Sequence, residues 1–192
     1  MKKTLITLIA TVALFAFKPV ADGTWSVDPA HSKLGFSITH MMVSDVDGTF
    51  KNFTATITSS KDDFSDAVVD LSADVTSVST DNDGRDNHIK SADFFDVAHF
   101  PKMTFKSTSF KKVADKTYKV TGDLTLKGIT KPVVLDATFR GVYTNQQSKK
   151  TVAGFKVTGI IKRKDFNIGA NFPVAALSDE VTLTGNTEFA KN

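Results

Sequence analysis

Residues 67–78 read AVVDLSADVTSV. Val69, Leu71, Ala73 and Val75 are apolar, and Asp70, Ser72, Asp74 and Thr76 between them are polar. A period of two puts successive side chains on opposite faces of an extended chain, so this stretch is a strand with one face buried. The pattern recurs in YKVTGDLTLKG (118–128), where Tyr118, Val120, Leu124 and Leu126 alternate with Lys119, Thr121, Asp123 and Thr125. It recurs in VVLDATFRGVY (133–143), where Val133, Leu135, Ala137 and Phe139 share a face. Weaker copies are KLGFSITH with Leu34, Phe36 and Ile38, KNFTATI with Phe53, Ala55 and Ile57, and GFKVTGII with Phe155, Val157 and Ile161. EVTLTGNTEF (Val181, Leu183, Phe189) and MTFKSTSF (Phe105) complete the set.

Turn-like breaks separate these runs at Asp45-Val46-Asp47-Gly48, Lys61-Asp62-Asp63, Val113-Ala114-Asp115-Lys116, Lys127-Gly128 and Asn145-Gln146-Gln147. The expectation is an all-β domain of eight, at most nine, strands, with no long helix after residue 21. One-faced strands joined by short turns form an antiparallel meander, and closing it into a barrel removes its edges. A membrane barrel would carry aromatic girdles on an apolar outer face. One tryptophan and two tyrosines supply none, so the apolar parity is expected to point inward. Gly122, Gly141, Gly159 and Gly185 fall on that parity. They are either bends that let the barrel turn or gaps that leave room for a ligand.

The chain begins MKKTLITLIATVALFAFKPVA, with two lysines, an apolar run from Leu5 to Phe17 and no acid. This is the layout of a secretory signal peptide over residues 1–21, with Ala16 and Ala21 as candidate ends and residues 22–192 as the mature domain. The run is too short for a stable membrane span, and the absence of cysteine excludes a lipid-anchored leader. Without Lys2, Lys3 and Lys18 the formal charge falls from +3 to zero, so no basic surplus remains for nucleic acid. A cysteine-free domain tolerates an oxidising compartment and depends on its core for stability.

Thr80 to Phe95, TDNDGRDNHIKSADFF, gathers the charged residues that invite a catalytic or metal reading. Aligned as a calcium loop on Gly84, it has Ser79 at the first ligand place and Lys90 at the last, where a glutamate is required. The histidines, His31, His40, His88 and His99, match no zinc spacing, and neither a cysteine nor a G-x-S-x-G nucleophile is present. No catalytic residue, metal or cofactor is expected. Thr80, Asp81 and Asn82 are good helix N-caps, and residues 85–91 contain no breaker. The segment therefore reads as a short helix that carries Phe94 and Phe95 over one barrel mouth as a lid.

Four stretches in this order resemble the YceI-like, polyisoprenoid-binding family. They are WSVDPAHSKLGFSITHMMVSDVDGTF, SVSTDNDGRDNHIKSADFFDVAHFPKMTFKSTSF, VTGDLTLKGITKPVVLDATF and GFKVTGIIKRKDFNIG, spanning about Trp25 to Phe189. Asn167 stands where the family usually has glycine. The resemblance implies a lipocalin-like antiparallel barrel, export to the periplasm and a long apolar pore for an isoprenoid or similar amphiphilic lipid. The expected apolar lining is Phe36, Ile38, Phe53, Val69 and Leu71, then Phe94, Phe95, Phe105 and Val120, then Leu124, Leu126, Leu135, Phe139 and Phe155. Arg85, His88 and Lys90 are the candidate partners of a polar head group, with Lys162-Arg163-Lys164 as a rival cluster or a solvated turn. The expected function is that of a periplasmic lipid-binding or carrier protein. The alternative is a non-catalytic structural or stress-protective barrel filled by its own side chains. The partner is a long-chain isoprenoid or related lipid, and a homodimer is left open.

Overall fold

The computed structural model describes residues 23–192, so the signal-peptide reading of residues 1–21 lies outside the described residues. Among these, eleven strands form one antiparallel sheet. They are β1 (Thr24–Val27), β2 (Lys33–His40), β3 (Ser44–Phe50), β4 (Phe53–Thr58), β5 (Val68–Asp74) and β6 (Val78–Ser79), then β7 (Lys102–Ala114), β8 (Thr117–Leu126), β9 (Ile129–Thr144), β10 (Thr151–Lys162) and β11 (Leu177–Lys191). One helix, α1 (Asp83–Lys90), lies between β6 and β7.

Closure depends on the length of β11. Its last residues pair with β1, Phe189 opposite Val27 and Lys191 opposite Trp25. β1 in turn pairs with β4, which completes an eight-stranded barrel in the order β1-β4-β5-β7-β8-β9-β10-β11. The earlier part of β11 pairs with β2 instead, Leu183 opposite Phe36 and Val181 opposite Ile38. β2 continues through β3 to the two-residue β6, a flap that extends one wall.

The apolar parity points inward. In β8, Tyr118, Val120, Leu124 and Leu126 are buried while Lys119 and Asp123 are exposed. The stretch Asp45–Gly48, expected as a turn, is the middle of β3. Its two aspartates hid an alternation in which Val46, Gly48 and Phe50 share a face. The lower end of the barrel is closed by the β4–β5 loop. There Phe64, 1% exposed with a left-handed φ of 57°, packs against Trp25, Phe139 and Phe155 with ring centroids 5.1–5.3 Å apart.

The inward glycines divide between the two readings. A Cβ on Gly122 would lie 2.4 Å from the Phe105 ring and 2.5 Å from the Lys106 carbonyl. A Cβ on Gly159 would lie 2.4 Å from Leu135. Side chains of neighbouring strands occupy these gaps, so neither is free ligand space. Gly141, with φ 127°, lies at the bulge where Arg140 drops out of the register between β9 and β10. Gly185 remains comparatively open, its nearest neighbour being Val157 at 3.5 Å. Gly122→Ala is therefore expected to lower stability by ~1–3 kcal/mol through overpacking against a ring and a fixed carbonyl. Thermal and denaturant unfolding would show it, and an unchanged midpoint would mean that the Phe105 ring can move aside.

Candidate functional site

Above the Phe64 plug the barrel holds two apolar chambers. The lower, about 130 Å³, is walled by residues of β2, β4, β5, β7, β8, β9, β10 and β11, among them Val69, Leu71, Phe105, Val120, Leu124, Leu135 and Phe155. The upper, about 340 Å³, lies between the β2–β3 flap, α1 and the segment after β10. Phe36, Ile38, Phe94, Phe95 and Leu126 belong to it. Leu183 lines both, which places the chambers one above the other along the barrel. Phe53 and Phe139, named from their parity, lie in the packed core and line neither chamber. Phe139 is taken up by the plug, 5.1 Å from the Phe64 ring and 5.2 Å from that of Phe155.

The lid is built by local hydrogen bonds. The Asn82 side chain caps α1 by accepting from Arg85 N–H at 2.9 Å. Asp86, on the inner side of the helix and 8% exposed, accepts from both the amide and the hydroxyl of Thr80, at 2.7 and 2.6 Å. Burial pushes its carboxyl up, but the Thr80 bonds outweigh this and hold it below its ordinary value. Arg85 Nε donates to the same Thr80 hydroxyl and Nη2 to the Thr80 carbonyl, both at 2.7 Å. The chain Arg85, Thr80, Asp86 thus ties the helix to the end of β6. After α1, Phe94 and Phe95 turn into the barrel, and Phe95 meets Phe36 and Phe50 with centroids 6.4 and 5.9 Å apart.

Of the candidate head-group residues, Arg85 and His88 line the upper chamber, and Lys90 does not. His88 stands edge-on to Phe94 and Phe172, at 5.0 and 6.0 Å between centroids. Arg85 and His88 are both exposed, which places them at the mouth. The triplet 162–164 is not a solvated turn throughout. Lys162 and Lys164 are exposed, but Arg163 is 2% exposed and reaches inward to the chamber wall. All five of its N–H groups donate to main-chain carbonyls: Ser178 at 2.9 Å, Ile168 at 3.1 Å, Phe172 and Leu177 at 2.9 Å, and Gly169. Burial lowers its pKa from the ordinary value, and the neighbouring Asp179 opposes this. With every donor engaged, Arg163 shapes the cavity rather than offering a hand to a ligand. The sequence marked it only as part of a basic triplet.

His40 and Met41 at the end of β2, and Phe172, Ala176 and Leu177 beyond β10, complete the upper wall and were not among the expected lining. Asn167 takes a left-handed conformation, φ 53° and ψ 36°, at the end of the 3-10 turn 163–166. Asparagine tolerates this region better than most residues, which explains how it stands where glycine is usual. Among the described residues no three His, Asp or Glu side chains come together to hold a metal ion.

The fold and the cavity define a lipocalin-like β-barrel with an enclosed apolar interior and a short helical lid. The YceI-like domain model matches residues 25–189, and the chain belongs to that family. It is 38% identical to protein YceI of Escherichia coli O6:H1 over 98% of this chain and 97% of that one. The crystal structure of Campylobacter jejuni YceI superposes with a TM-score of 0.72 at 36% identity, covering 86% of this chain and 96% of that chain. A polyisoprenoid binding domain from Saccharophagus degradans superposes with a TM-score of 0.66 over 88% of this chain and 98% of its own; at 16% identity it shows the shared fold.

Proposed function

We propose that the protein binds or carries a polyisoprenoid or similar long-chain amphiphilic lipid, held lengthwise in the barrel, and that it does so in the periplasm after removal of residues 1–21. The observation that carries this reading is the pair of stacked chambers sharing Leu183. The upper one falls within the ~300–1,000 Å³ typical of small-ligand sites. The lower one is close to the ~150 Å³ apolar cavity known to stay dry and accept a hydrocarbon ring. A flexible chain gains roughly 0.8 kcal/mol per buried methylene, less the cost of ordering it. Polyisoprenoids are such chains, and they are the ligand class of the Saccharophagus degradans domain that shares the fold.

The direction of the chambers supports a tail-first pose. Phe64 closes the lower end, and the basic side chains that line the cavity, His40, Arg85, His88 and Arg163, all belong to the upper chamber. A head group would meet Arg85 and His88, with Lys90 set back from the chamber. Binding rather than catalysis fits the engaged state of the inner polar groups, Asp86 on Thr80 and Arg163 on five carbonyls.

The test is organic extraction and mass spectrometry of protein recovered from the periplasm of the exporting cell. A prenyl-chain lipid is expected in the extract, together with an intact mass lacking residues 1–21. An empty extract, with no binding of prenyl lipids by the stripped protein, would favour the side-chain-filled structural barrel.

A further inference from the structure

The hairpin between β2 and β3 turns on Met41 and Met42, with Val43 N–H donating to the His40 carbonyl at 3.1 Å. Both methionines have left-handed φ, 51° and 58°. In a tight turn whose two central residues are both left-handed, asparagine and glycine carry those angles at little steric cost, and long side chains do not. Core burial does not compensate here, because Met41 is 53%, Met42 74% and Val43 82% exposed. Met41 N–H donates to the Ala176 carbonyl at 2.9 Å, which brings in the segment carrying Val174, itself 52% exposed. Met41 also lines the upper chamber. The exposed apolar tip and the cavity wall are thus one continuous surface.

We propose that this tip docks on a phospholipid bilayer, with Met42 and Val43 entering the acyl-chain boundary and holding the chamber mouth against it. The choice of a bilayer as occupant rests on the lipid-binding reading, because a chamber that takes up a long apolar chain must receive it from a membrane. Size points the same way. A hairpin tip and one neighbouring valine fall far short of the ~1,200–2,000 Å² that a stable protein interface buries. A few apolar side chains suffice for reversible membrane contact. Methionine is also the side chain that best adapts to a disordered apolar phase.

The charges around the tip define which bilayer. β3 carries Asp45 and Asp47, and β11 carries Asp179 and Glu180. Lys162 is the cross-strand neighbour of Glu180, and Asp179 accepts from the main-chain N–H of Lys164. The lid helix, which carries Arg85, His88 and Lys90, has Asp83 and Asp86 in its first turn. Basic residues at this end are thus accompanied by acids, so the attraction is apolar, works on zwitterionic lipid and resists salt.

The absence of cysteine makes the test direct. The protein as recovered from the periplasm, carrying Met42→Cys, is labelled with an environment-sensitive fluorophore and mixed with phosphatidylcholine vesicles that contain no isoprenoid. Gln146→Cys, in the β9–β10 hairpin at the other end of the barrel, reports attachment through any other part of the chain. The expected result is brighter, blue-shifted emission at position 42, quenched by brominated acyl chains and retained at high salt, with position 146 unchanged. In a Val43→Cys, Met42→Gly protein the vesicle response should fall about tenfold, while thermal stability does not fall because glycine relieves the left-handed strain. Silence at position 42, equal responses at both positions, a need for anionic lipid or low salt, or an undiminished response with Met42→Gly would each overturn the proposal. So would a signal at position 42 that rises with protein concentration without vesicles, since a second copy would then cover the tip. None of these results bears on whether lipid is extracted from the barrel, so the two readings fail separately.

Discussion

Arg163→Met is expected to cost about 4 kcal/mol of folding stability, a large part of the ~5–15 kcal/mol that holds a domain of this size together. The guanidinium is 2% exposed, and its five hydrogen bonds run to carbonyls spread from Ile168 to Ser178. Before Leu177 the segment has no strand, so the carbonyls of Ile168, Gly169 and Phe172 lack ladder partners; Gly169 also accepts from Phe172 N–H at 3.0 Å, and Arg163 supplies a donor to all three. Methionine matches the stem but leaves buried acceptors unpaired, each costing roughly 1–3 kcal/mol before relaxation lets in water. Arg163→Lys offers three donors where five are used and should recover only part of the loss. Because Phe172, Ala176 and Leu177 line the upper chamber, the same substitutions should weaken lipid binding even where the protein remains folded. Urea unfolding of the three proteins measures the first effect. A loss below about 1 kcal/mol for Arg163→Met would show that the segment is held by its apolar contacts instead.

Arg163 also shows where the sequence stops being legible. Strands β5, β8 and β9 could be read because a closed barrel has a dry inside and a wet outside, and period-two alternation records that contrast directly. The lid could be read from Asn82 and the unbroken run behind it because capping is local chemistry. Arg163 could not, because its inward course is fixed by carbonyls five to fifteen residues downstream that only the folded loop assembles. β3 was concealed for another reason. Asp45 and Asp47 face outward and Gly48 leaves room for Phe36, whose ring a Cβ there would meet at 2.3 Å, so a strand took on the composition of a turn. The inward glycines were legible in parity and not in meaning. Whether such a gap is empty depends on how far a ring on the next strand leans, and Phe105 leans fully over Gly122. Phe64, in the turn-like run KDDFSD, gave no periodic signal at all, although it seals the barrel floor.

Leu183→Trp is expected to separate long ligands from short ones. Leu183 projects from β11 between the two chambers, opposite Phe36 on β2 and Gly159 on β10. An indole there blocks passage to the lower chamber and leaves most of the upper one open. A ligand that reaches both chambers then loses the methylenes that no longer fit. At roughly 0.8 kcal/mol each, two of them already amount to about a tenfold loss of affinity. A short amphiphile confined to the upper chamber should bind almost unchanged. Ile38→Trp provides the contrast, because Ile38 lines the upper chamber alone and its replacement should weaken long and short ligands together. The lower chamber can receive part of the new ring, so Leu183→Trp should unfold within ~1–3 kcal/mol of the parent. Affinity measured for prenyl alcohols of increasing length gives the decisive comparison. In the parent protein it should climb with each added isoprene unit until both chambers are full, and in Leu183→Trp it should stop climbing earlier. Equal losses at every length would mean that the chambers do not act in series. No loss at any length would place the ligand outside the barrel and return the two chambers to packing defects of a structural protein.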